Sequence, residues 1–245
     1  MDKLIYTAMS GAKATMSQQN SVANNLANST TTGFRAELHR FRSVNVQSAA
    51  SPTRAFVVDA SVASDFRTGP MIKTGSAYDA AIQGAGMFAV QARDGSEAYT
   101  RNGSFNVDAD GVLRTNTGLQ VLGDSGPITI PPDSSIEIGQ DGTITAIPSS
   151  GARNAANAVG RLKLVNPAES GLDRGEDGLF RTANGAPAAQ DDTLKVAGGF
   201  IEGSNVNVVE QMVSMVSLAR HFEMQTKLIA TAQEDDKAAT AIISM

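Results

Sequence analysis

Cysteine and tryptophan are both missing from this chain, and aromatic residues make up only 5% of it. Without cysteine there is no disulfide, no thiolate zinc site and no cysteine nucleophile. With so few rings, a core has to be built from Ala, Val, Ile and Leu, and 245 residues at 41% hydrophobic are enough to bury one. Histidine is scarce too. His39 and His221 stand alone and far apart, so neither an HExxH-type zinc site nor a histidine-based triad can be assembled. No apolar run reaches the length of a membrane span, which argues against direct membrane insertion. No signal-type apolar stretch follows Met1–Ile5, so the expectation is a protein that stays in the cytoplasm or leaves it without a cleaved signal. A net charge of −5 gives no reason to expect nucleic acid or anionic lipid as partner.

What is present is concentrated at the two ends. Val208, Met212, Met215, Ala219, Phe222, Thr226, Ile229 and Gln233 recur at alternating gaps of four and three, the spacing of a helix seam. Ser204-Asn205 offers N-cap chemistry ahead of it. Ile5, Met9, Ala12, Met16, Gln19, Ala23 and Leu26 repeat that spacing near the N-terminus. Residues 1–50 carry five Lys or Arg against two acids, and residues 201–245 carry three against six. Two terminal helices of opposite charge are therefore expected to meet. Seven of the nine methionines lie in these end segments, where an adaptable thioether suits a helix seam. Asn20, Asn24 and Asn28 sit four apart on one helix face, either as a solvated stripe or as amides that bond neighbouring chains. Gly33, after the run Ser29–Thr32, is suited to a left-handed cap.

Residues 34–77 have little pattern and read as an extended connector, with a loop at 48–52 and some strand alternation from Val57 to Phe66. From about residue 78 the character changes. Short β-rich runs (Met87–Gln91, Ala98–Arg101, Gly118–Leu122, Ile128–Ile130, Ile136–Ile138, Thr143–Ile147, Arg161–Val165, Thr193–Ile201) are divided by turns. Asp94-Gly95, Asp110-Gly111, Asp141-Gly142 and Asp177-Gly178 are strong hairpin signals. The expected fold is α+β: long N- and C-terminal helices forming a coiled-coil layer, with a central antiparallel all-β domain. The expected division is 1–33 plus 205–245 for the helical assembly domain, 34–77 for the connector and 78–204 for the β domain.

Three motifs hint at chemistry. Gly123-Asp124-Ser125-Gly126-Pro127 looks like a serine-nucleophile loop but has no histidine in a suitable motif, so a hairpin turn accounts for it better. Gly84-Ala85-Gly86 lacks the third Gly and the following helix of a dinucleotide site. Asp108-Ala109-Asp110-Gly111 has its Gly too early and no closing Glu for calcium. A secreted β-domain hydrolase and a carbohydrate-binding module are thus the weaker readings. No catalytic residue, metal, cofactor or small-molecule substrate is expected.

Set together, several stretches resemble the axial proteins of the bacterial flagellum. Ala23-Asn24-Asn25-Leu26-Ala27-Asn28 followed by Thr32-Gly33-Phe34-Arg35 is similar to the family's N-terminal signature. Tyr99-Thr100-Arg101-Asn102-Gly103-Ser104-Phe105 and the segment Gly111–Pro131 resemble the central domain shared by its rod and hook members. Glu202-Gly203-Ser204-Asn205-Val206-Asn207 and Ala219-Arg220-His221-Phe222-Glu223 resemble the entry and body of its C-terminal helix. The opening twelve residues look more like proximal-rod members than distal-rod or hook members, which remain the alternative. The departures are His221, where an aromatic is common, and the loosely matching tail from Asp235.

The resemblance implies a structural subunit, not an enzyme. Such a subunit is exported by the flagellar type III apparatus and stacks with copies of itself and other rod proteins in a helical, torque-transmitting rod across the periplasm. The assembly interface is expected at Ile5, Met9, Met16, Asn24, Asn25, Leu26, Asn28, Gly33, Phe34, Val208, Met212, Met215, Phe222 and Ile229. The terminal helices are expected to stay largely disordered in the monomer and to fold on docking.

Overall fold

The computed structural model describes residues 2–45, 55–148 and 156–243, and the loop expected at 48–52 lies outside them. The chain divides into two compact units, each drawn from separated stretches.

The helical unit comprises Met1–Ser29, Ala36–Asp65 and Val206–Met245. Its α1 (Asp2–Ala27) is rich in Ala, Gln and Met, which favour helix, and stops where Asn28 and Ser29 donate to the carbonyls of Asn24 and Leu26. A hairpin of β1 (Glu37–Asn45) and β2 (Ala55–Ser64) follows, closed at its base by Asp65 N–H donating to Ala36 O at 2.8 Å. Residues 37–64, read from sequence as part of a connector, thus carry two paired strands with a register shift between Arg40 and Phe41. The 36-residue α2 (Val208–Ile243) closes the unit. Its cap is Asn207, whose Oδ1 accepts from the amides of Val209 and Glu210, rather than Ser204-Asn205.

The β unit comprises Thr30–Arg35 and Phe66–Asn205. Its strands are β3 (Met71–Lys73), β4 (Ala80–Gln83), β5 (Met87–Gln91), β6 (Glu97–Thr100), β7 (Phe105–Val107), β8 (Leu113–Thr115), β9 (Gln120–Gly123), β10 (Gly126–Pro127), β11 (Ser134–Ile138), β12 (Thr143–Pro148), β13 (Asn157–Arg161), β14 (Leu164–Val165), β15 (Leu172–Arg174), β16 (Phe180–Thr182), β17 (Lys195–Gly198) and β18 (Phe200–Glu202). Among the described residues the largest sheet runs β15-β16-β6-β5-β9-β8-β7, with β10 on β9 and β14 on β5; β11-β12-β13, β17-β4 and β18-β3 form smaller antiparallel groups.

Each Asp-Gly pair closes a hairpin, joining β5 to β6, β7 to β8, β11 to β12 and β15 to β16. The reason is local. A glycine takes the left-handed backbone, and in each turn an Asp carboxylate accepts the amide of a residue two positions on. Three strand expectations shift. Ile128–Ile130 makes only one bridge, Thr129 to Val112, although both isoleucines are buried. The expected Arg161–Val165 strand divides into the end of β13 and β14, and Gly199, at φ 76°, divides the last strand into β17 and β18.

The main core packs Phe88, Leu113, Val121, Ile144 and Leu164 with their neighbours, and Phe88 meets Phe105 edge to face at 5.3 Å. At Gly103 a side chain is impossible, because its Cβ would fall 1.6 Å from Ala80 O.

Candidate assembly surfaces

In the helical unit α1 and α2 pack antiparallel: Thr15 Oγ1 contacts Gln225 Oε1 at 3.2 Å, and Asn25 Nδ2 reaches Gln211 Oε1 at 3.4 Å. On α1 the buried positions are Ala8, Thr15, Ser21, Val22 and Asn25, and all but Ser21 lie one residue before the seam expected from spacing. Small side chains set this rotation. Gly11 sits so close to α2 that a Cβ there would lie 2.9 Å from Gln225 Nε2. Met9 and Met16 are left more than half exposed, and Ile5 and Leu26 are half-buried. On α2, Met215, Phe222 and Ile229 are half-buried, Ala232 is buried, and Val208 and Met212 are exposed.

Asn24, Asn25 and Asn28 have intramolecular partners. Asn25, 2% exposed, grips the first residue of β1 as a neighbouring strand would: its Oδ1 accepts Glu37 N–H at 2.7 Å and its Nδ2 donates to Glu37 O at 3.0 Å. Asn24 Nδ2 donates to Glu37 Oε1, and Asn28 donates back to Asn24 O and Oδ1. Ser21 Oγ lies 2.8 Å from His39 Nε2. The expectation of an amide ladder singled out Asn20, Asn24 and Asn28. The amide that ties α1 to both the hairpin and α2 is Asn25, one position off that ladder.

The outward faces of both helices are apolar. Tyr6, Met9 and Met16 share a stripe on α1, with gaps of three and seven. On α2, Val209, Met212, Val213, Val216, Met224 and Leu228 are all exposed, Val209 by 70%. Met212, Val213, Val216 and Met224 line an open groove of about 480 Å³ with Arg220 and His221 at its side. An exposed apolar stripe of this kind is what a docking surface presents.

In the β unit the segment Thr32–Arg35 is built into the fold. Gly33 is left-handed at φ 69°, donates its N–H to Glu202 O at 2.8 Å, and would place a Cβ 2.3 Å from Asn102 N. It lies six residues beyond α1 and serves this loop rather than the helix end. Phe34 is buried with the Arg174 guanidinium 4.6 Å from its ring centroid. Arg35 Nη1 reaches Glu202 Oε1 at 2.8 Å, and Arg101 Nη2 lies 2.6 Å from Glu202 Oε2. Burial presses the Arg101 guanidinium down to about 10, still cationic at neutral pH. Nothing in the spacing of Arg35, Arg101 and Glu202 announced that they meet. Ser125 falls in the two-residue turn between β9 and β10.

Comparison with known proteins gives the family. Residues 5–35 match the family described as flagella basal body rod protein, residues 81–146 the flagellar hook protein FlgE/F/G D1 domain, and residues 197–242 the flagellar basal body rod FlgEFG protein C-terminal. These define the class: an axial protein of the flagellar rod and hook type. Flagellar basal-body rod protein FlgF of Escherichia coli K12 is 45% identical over the whole of both chains, and that of Salmonella typhimurium 42%. A FlgG of Buchnera aphidicola, matched over 94% of this chain and 95% of its own, is 32% identical. The chain belongs to the flagellar basal-body rod proteins, in their FlgF group.

Proposed function

We propose that this chain is a structural subunit of the proximal flagellar rod, joined to copies of itself and to other rod proteins through the outward faces of α1 and α2. The observation that carries the reading is the exposed Val209, Val213 and Val216 on a helix whose other side is already occupied by α1. A neighbouring subunit with the same two helices supplies a second exposed apolar stripe in Tyr6, Met9 and Met16. Burying such stripes contributes about 25 cal/mol per Å² of apolar area toward association. The helical segments are the assembly domain. Placement in a periplasm-spanning rod, and delivery there by the flagellar type III export apparatus, are part of the same proposal and are what the resemblance to flagellar axial proteins implies; the proximal position is what the opening residues support. The same faces, exposed in the free subunit, support the expectation that the helices consolidate on docking.

The test is the pair Val213→Asp with Val216→Asp, expressed in place of the native chain. Both side chains are already exposed, so the unfolding free energy of the purified subunit should stay within about 0.5 kcal/mol of the parent's. Rods should be missing from isolated basal bodies and swimming lost. Normal rods from this variant would show that the α2 stripe is not an assembly surface.

A further inference from the structure

Three stretches far apart in sequence meet at one buried point of the β unit: Arg35, Arg101 and Glu202, each no more than 3% exposed. Glu202 Oε1 accepts from Arg35 Nη1 and from Gly69 N–H, both at 2.8 Å. Arg35 Nη1 also donates to Arg67 O, and Arg101 donates to Gly84 O and Gly86 O. Two guanidiniums facing one carboxylate leave a net positive charge in a dry place. Arg35 Nε and Arg101 Nε have no hydrogen-bond partner, and Glu202 Oε2 meets Arg101 closely without the alignment of a hydrogen bond. A buried ionic network satisfied only in part stabilises a fold less than apolar side chains of the same size would. Stability therefore does not explain it.

The neighbouring strands point to another role. Glu202 belongs to β18, which pairs with β3 as Phe200 with Lys73, Ile201 with Ile72 and Glu202 with Met71. All three β3 side chains are exposed, so no buried alternation selects this register. The left-handed Gly199 separates β18 from β17, whose register on β4 is fixed by the buried Val196. A one-residue slip of β18 would turn Ile201 or Gly203 toward the guanidiniums and leave both without a counter-charge.

We infer that the Arg35–Glu202–Arg101 triad is a registry lock, kept for specificity rather than stability. It admits one alignment of the segment leaving for α2 against the segment arriving from α1. That alignment matters for rod building only if the rod-subunit reading above holds, but the lock itself is a property of the free chain.

Amide exchange on the purified full chain tests it. In the triple variant Arg35→Met, Arg101→Met, Glu202→Leu, the melting temperature and the slow exchange of the core amide of Leu113 should be retained. The amides of Gly33, bonded to Glu202 O, and Gly203, bonded to Pro70 O, should exchange at least about tenfold faster. Unchanged protection at Gly33 and Gly203 would overturn the inference. Should the triple variant fail to fold, Glu202→Gln keeps the shape and removes the charge. Faster exchange at Gly33 with Leu113 unchanged supports the lock, and equal loss at both sites shows an ordinary stabilising contact and refutes it. Failure of the Val213→Asp and Val216→Asp experiment would leave these amide results untouched, so the two ideas fall separately.

Discussion

In the β unit Phe88, Leu113, Val121, Ile144 and Leu164 are almost inaccessible to solvent, whereas the buried apolar side chains described in the helical unit are Ala8, Val22, Ala36 and Ala232. One unit closes a core within itself. The other spends its larger apolar groups, Val209, Val213, Val216, Met9 and Met16, on its outside and joins its helices through small residues and amides. The contrast teaches that, among the described residues, the large apolar side chains turn inward in one unit and outward in the other, so the stabilities of the two units should be measurable separately.

Hydrogen exchange should give the largest contrast. Amides of β5, β8 and β9 should open only with global unfolding, at about 5–15 kcal/mol, while those of α1 and α2 open several kcal/mol more easily in the monomer. Equal protection in both units would break the comparison. Next in size, Leu113→Ala should cost about 2–5 kcal/mol in denaturant unfolding of the β unit, since the site is fully enclosed. Phe222→Ala, at a half-buried site, should cost less than the about 3–5 kcal/mol of an enclosed Phe and should register in the exchange of α2, not in β-unit unfolding. Asn25→Ala should cost about 1–3 kcal/mol by orphaning Glu37 N–H and O, seen as faster exchange at Glu37 with β-unit melting unchanged.

Acid should have the smallest effect, and it falls on the β unit. Asp108 and Asp177 are held below the ordinary carboxylate value of 3.8 by hydrogen bonds from Arg114 and Arg181, and Asp141 and Asp191 by the hydroxyls of Thr143 and Thr193. A carboxylate lowered on folding contributes at neutral pH and stops contributing as pH falls below that ordinary value. The groups lie near the surface, so melting temperature should decline only gently in that window. A β unit that gained stability on acidification there would contradict the assignment.

How much of this the residues announce depends on the range over which each feature is decided. The Asp-Gly hairpins are legible because two adjacent residues settle the turn. The two helices are legible because their apolar spacing runs for many turns. Which face packs is not: spacing favoured the bulky Met9 and Met16, but close approach at Gly11 and Thr15 rotates α1 by one residue. The cap of α2 is Asn207 rather than Ser204-Asn205 because the helix begins at Val208, so Asn207 is the residue whose Oδ1 meets the free amides of the first turn. Asn25 was one residue off the helical ladder, since its partner is a backbone edge rather than another asparagine. The Arg35–Glu202–Arg101 contact needs three positions whose meeting only the tertiary fold decides.

The interleaving of the two units has a kinetic side. Asn25 and Gln211 are separated by 186 residues, and forming their contact from an open chain means closing a loop of that length. The β unit is drawn almost entirely from one unbroken stretch, Phe66–Asn205, and its hairpins are local. Local contacts form first and distant ones wait. Once Arg35 has met Glu202, the loop left to close shrinks to the short runs between Asn25 and Arg35 and between Glu202 and Gln211. The helices are then near neighbours, and the expected order of folding is the β unit first and the helix pair after it.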